Sequence, residues 1–95
     1  MRLSEEQISS IKEAVAENLS GYRLMLFGSR VNDNERGGDI DLLIITNEKL
    51  SRKTIRKIKR EIWNKIGEQK IDIVNFTREE KNNFKSMILE EAVEL

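Results

Sequence analysis

The stretch Leu26-Phe27-Gly28-Ser29-Arg30 is followed, after residues 31–38, by Asp39-Ile40-Asp41-Leu42-Leu43-Ile44-Ile45. An apolar run stops at Gly-Ser, a polar loop follows, and a second apolar run opens with two carboxylates one residue apart. Gly followed by a small hydroxyl residue lets backbone N–H groups approach phosphate oxygens closely. Two aspartates at i and i+2 on a strand share a face, where they can share a hard divalent cation. A phosphate cradle beside a metal clamp points to metal-assisted chemistry on a nucleoside triphosphate.

Working outward, residues 4–19 carry Ile8, Ile11, Val15 and Leu19 at helical spacing. Ser4 with Gln7 fits a capping box, Leu3 with Ile8 a hydrophobic staple, and Gly21 a C-terminal stop. Tyr22 to Phe27 reads as a short strand, residues 30–38 as a loop, and Asp39 to Thr46 as a strand buried on both faces at its end. Residues 51–66 form a second amphipathic helix, with an Ile55, Ile58, Ile62 and Ile66 stripe inside a strongly basic face. That face reads as solvated, and Trp63 as core or rim. Ile71 to Phe76 is a third strand with Asp72 near its start. Thr77 and Glu80 form a second capping-box pair, expected to open a last helix that runs through the C-terminus.

The expected architecture is therefore an α+β fold: one domain over residues 1–95, in α-β-β-α-β-α order, with a three-stranded mixed sheet packed by helices. The helix between the second and third strands suits a right-handed parallel crossover, and the short connection between the first two favours an antiparallel pair. That topology brings Gly28-Ser29, Asp39, Asp41 and Asp72 to one sheet edge. Alone, Gly28-Ser29 reads as a turn and Asp72 as a surface carboxylate. Together they are a site, because Asp is depleted in strands and here opens two neighbouring ones.

Composition bounds the chemistry. In 95 residues there are 17 Lys plus Arg and 17 Asp plus Glu, with no net charge. This disfavours direct binding to nucleic-acid backbone, which calls for a basic excess. With neither Cys nor His in the chain, catalysis must run on carboxylates, hydroxyls, Lys, Arg and bound metal. No apolar run approaches membrane-spanning length and no signal-peptide core is seen, so a cytoplasmic protein is expected. In this setting Asp39 and Asp41 are assigned as metal ligands, and Asp72 as a third ligand or the base. Gly28 and Ser29 are assigned to the β and γ phosphates, and Arg30 to a phosphate oxygen or to orienting the loop. All three aspartates are thus both catalytic and metal-binding candidates for one or two Mg2+ ions, with ATP or another triphosphate as substrate.

The Gly-Ser, Asp-x-Asp and Ile71-Asp72-Ile73-Val74 pieces resemble, in type and order, the minimal nucleotidyltransferase (MNT) family of the DNA polymerase β-like superfamily. The resemblance implies Mg2+-dependent transfer of a nucleoside monophosphate, most often AMP from ATP, to a hydroxyl with release of pyrophosphate. It also implies an antitoxin whose partner is a helical HEPN-type protein modified on Tyr. Two other roles stay open: an antitoxin acting by occlusion alone, and the catalytic chain of a two-subunit enzyme for small molecules. The sequence departs from the family pattern after Arg30, where Val31-Asn32-Asp33 follows, and before the first aspartate, where Gly38 stands in place of Ser. Apolar residues spread around the last helix, from Phe84 and Met87 to Val93 and Leu95, predict an exposed contact for a homo- or hetero-oligomer.

Overall fold

The computed structural model describes residues 3–28 and 39–95. Helix α1 (Glu5–Asn18) begins as its sequence dictates, with Ser4 and Gln7 exchanging side-chain and backbone hydrogen bonds, each of 3.0 Å. Leu3 and Ile8 join the same apolar cluster below it. The helix ends at Asn18, with Leu19 as its C-cap, ahead of Gly21. Helix α2 (Arg52–Ile66) starts on a Ser51 cap and returns along α1, where Lys65 Nζ reaches Glu13 (3.1 Å) and Glu17 (3.6 Å). Trp63 is half-buried and donates its indole N–H to Gln69 O.

Strands β1 (Arg23–Phe27) and β2 (Ile40–Thr46) pair antiparallel, and β2 pairs parallel with β3 (Ile71–Thr77). Both relations follow from the connections, a short one before β2 and the α2 crossover after it. Alternate residues separate the two faces of the sheet. Leu24, Leu26, Ile40, Leu42, Ile44 and Ile71 face Ile11, Val15, Ile58 and Ile62 of α1 and α2. Met25, Leu43, Ile45 and Phe76 face the other way, onto Ile88 of helix α3 (Asn83–Glu91). Since β2 is covered on both faces, its run from Leu42 to Thr46 is wholly buried.

Three expectations need correction. The sheet has four strands in the order β3-β2-β1-β4, because Val93–Glu94 forms a short β4 antiparallel to β1. Arg23 Nε holds Glu94 at 2.8 Å, and Leu95 N–H donates to Leu24 O. Accordingly, the last helix stops at Glu91 instead of running through the C-terminus. Its start differs too. Thr77 and Glu80 do make the reciprocal bonds of a capping box, at 3.1 and 3.2 Å, but they close a turn. The helix opens later on Asn82, whose side chain accepts from Phe84 and Lys85 N–H. The intervening turn is filled by the buried Lys85 ammonium, which donates to Thr77, Arg78 and Glu80 carbonyls at 2.8–3.1 Å. Three carbonyl partners compensate its burial.

A second buried polar group ties the crossover to the sheet. Asn75 donates to Ile44 O (2.9 Å) and Thr46 Oγ1 (3.1 Å), and accepts the Leu50 N–H (2.8 Å) just before α2. Asn75→Ala removes these partners from buried groups and should destabilise the protein by about 1–3 kcal/mol. Urea unfolding of the two proteins checks it, with the midpoint expected to fall at an unchanged slope.

Candidate functional site

Strand pairing alone determines which carboxylates meet. Asp41 is opposite Phe27 on one side and Asp72 on the other. Asp39 precedes β2 by one residue, shares the alternation of Asp41, and therefore lies on the same face. This is the α3 face, to which Phe27, Val74 and Phe76 also belong. The expected convergence at one edge of the sheet is present for Gly28, Asp39, Asp41 and Asp72. Ser29, Arg30 and the loop 30–38 lie outside the described residues.

Gly28 has φ +78°, and a Cβ placed there would fall on Asp41 Oδ2, 3.1 Å from its Cγ. A side chain is excluded here twice over, by backbone conformation and by the carboxylate packed against the Cα. The backbone at Gly28 and the Asp41 carboxylate therefore face one shared space. A groove of about 230 Å³ adjoins it, lined by Phe27, Gly28, Phe84, Met87, Ile88 and Glu91.

The electrostatics are those of crowded like charges. The half-buried Asp41 carboxyl is raised above its ordinary 3.8, by burial first, then by the Asp72 and Asp39 charges and a hydrogen bond shared with Asp72. The Lys70 ammonium pulls the other way. Its Nζ lies 3.3 Å from Asp39 Oδ2, so Asp39 is engaged by Lys70 while Asp41 and Asp72 face each other. Among the described residues, no three His, Cys, Asp or Glu side chains are gathered closely enough to hold a metal ion by themselves. The donor set nonetheless fits Mg2+, which takes one or two carboxylates and completes its shell with water and substrate phosphate. The mutual repulsion at Asp41 is what a divalent cation would relieve.

Lys70 escaped the sequence reading. The signal available was its spacing: it precedes Asp72 by two residues, as Asp39 precedes Asp41, on strands that run parallel.

With this geometry in hand, the class is defined by comparison. The fold superposes with a TM-score of 0.69 on a chain of the solved complex of the tri-AMPylated Shewanella oneidensis HEPN toxin with MNT antitoxin. That match has 15% identity and covers 93% of this chain and 67% of the other. The nucleotidyltransferase domain family model matches residues 8–95, and the chain belongs to that family. No curated protein matches it significantly in sequence. No helix among the described residues is long and apolar enough to cross a membrane.

The raised carboxyl carries a sign that can be measured. Folding raises the Asp41 pKa, so the folded state binds a proton more tightly than the unfolded one. This contribution to stability falls as pH rises from the ordinary value through the folded one, and the ionised group is a net cost above that window. Asp41→Asn should therefore melt at a higher temperature than the parent near pH 7 in metal-free buffer. The gap should narrow as pH is lowered toward 3.8. Thermal melts in EDTA across pH check both parts.

Proposed function

We propose that the protein is a Mg2+-dependent nucleotidyltransferase that moves AMP from ATP to a hydroxyl on a HEPN-type helical partner, and so acts as an antitoxin. The observation that carries this reading is the pairing of Asp41 with Asp72 beside Gly28, within a chain of the nucleotidyltransferase family. The partner is proposed from the likeness in fold to the MNT antitoxin bound to a HEPN toxin, and from the apolar face of α3. On the side of α3 that lines the groove with Gly28, Phe84 and Met87 are 52% and 66% exposed. An apolar patch beside a site is a mark of contact with another macromolecule.

In this mechanism Asp39 and Asp41 would hold the metal with substrate phosphate oxygens. Mg2+, when bound there, supplies charge neutralisation for the transferring phosphoryl group. The Gly28 backbone, with Ser29 and Arg30 following it, positions the β and γ phosphates. Asp72 accepts the proton of the acceptor hydroxyl as its oxygen bonds to the α-phosphorus. The bond from that phosphorus to the bridging oxygen breaks, and pyrophosphate leaves with the electron pair. Little covalent work falls to the protein; it positions and neutralises.

A second reading, neutralisation by occlusion, draws on the same exposed α3 face. One experiment separates the two. Incubated with ATP, Mg2+ and its copurified partner, the protein should add to the partner a mass of one or more AMP units. Asp39→Ala with Asp41→Ala should lower that rate by at least about 10²-fold, as removal of a preorganised charge stabiliser does. Binding of the partner should persist. A properly folded complex that labels with no triphosphate, yet still silences the partner, would leave occlusion as the function.

A further inference from the structure

We propose that Lys70 is the built-in counter-ion of the aspartate cluster, holding the Asp39 carboxylate while no divalent cation is bound and competing with that cation for it. The proposal rests on the metal-site reading above and assigns a positioning role to a residue that reading does not use. Its geometry is fixed by the backbone. Ile40 N–H donates to Lys70 O at 3.0 Å, and Ile40 pairs with Ile71, so Lys70 is held across from Asp39 just as Asp72 is across from Asp41. The four charged residues thus form two rungs on one face of the sheet, three negative and one positive.

The Lys70 side chain is 72% exposed, and Asp39 is its ion-pair partner among the described residues. Its ammonium lies 3.3 Å from the Asp39 carboxylate. An ammonium and a divalent cation held on the same Asp39 carboxylate repel each other at such short range. Lys70 on Oδ2 therefore weakens the hold of this carboxylate on a metal, and its long solvated stem lets it swing away at low cost. In the meantime the positive charge partly offsets the repulsion that Asp41 feels from Asp39 and Asp72. The cluster can stand assembled before a metal arrives, at the expense of affinity for the bare ion.

Mn2+ alone, titrated into the intact protein and followed by calorimetry and by melting temperature, tests this. Lys70→Gln should lower the apparent Mn2+ dissociation constant about two- to fivefold, the scale of an exposed ion pair. It should also lower the melting temperature in EDTA. Lys70→Arg, which keeps the charge, should stay near the parent in both respects. The affinity gap should shrink in about 1 M salt, where charges are screened within about 3 Å. Unchanged or weaker Mn2+ binding by Lys70→Gln, while Asp41→Asn abolishes binding, would overturn the role of Lys70 and leave the metal site standing. Lys70→Arg behaving like Lys70→Gln would overturn it as well, since charge would not be the cause. Absence of Mn2+ binding in the parent, or binding unaffected by Asp41→Asn, would overturn both.

Discussion

Much of this structure answers to one unfavourable contact, that of Asp41 with Asp72 across the parallel β2–β3 pair. Parallel pairing forces the two carboxylates level with each other, and burial of Asp41 makes their repulsion costly. The surroundings fit around it. Gly28 has no side chain because Asp41 occupies the space one would need. Lys70 brings a positive charge to the neighbouring rung. The rest of β2 is packed from both sides by apolar side chains, which supplies the stability that the acidic end lacks. Such a distribution, with a rigid apolar strand carrying a destabilised polar end, is typical of functional sites.

The two faces of the sheet divide the labour. Helices α1 and α2 close one face with a large apolar cluster, and their basic and acidic outer surfaces meet solvent. The short α3 covers only part of the other face, anchored through Ile88 and the buried Lys85 ammonium. What α3 leaves open is the acidic end of the sheet, and its own outer side presents Phe84 and Met87 beside Phe27 and Gly28. On the proposed reading, the carboxylates that would hold a cation and the apolar surface that would meet a partner lie next to each other. This adjacency suits a transfer reaction whose acceptor is carried on another chain.

Most of this arrangement was legible in the residues. Periodicity located α1 and α2, the Ser4–Gln7 box marked the start of α1, and the spacing of Asp39, Asp41 and Asp72 followed from strand alternation. Where the structure departs from the sequence pattern, the causes are physical. Thr77 and Glu80 made the expected bonds, but a capping box can close a turn when the next residues do not continue as a helix. Here Lys85 fills that turn, and Asn82 caps the helix instead. The two-residue β4 left no periodic signal of its own; it exists because β1 offers an open edge and Arg23 meets Glu94 there. Lys70 is not legible as part of the cluster, because a lone lysine ahead of a strand carries no signal until pairing puts it across from Asp39.

On the proposed mechanism Asp39 and Asp41, with Asp72 beside them, would form a divalent-cation site. Substoichiometric Mn2+ added to 15N-labelled protein tests it most directly, because paramagnetic broadening falls steeply with distance from the bound ion. The Gly28, Asp39, Ile40, Asp41 and Asp72 amide signals should be lost first, with those of the basic α2 and of the outer face of α1 retained. Broadening centred on the surface glutamates of α1 or α3, with the amides around Asp41 and Asp72 left sharp, would contradict it.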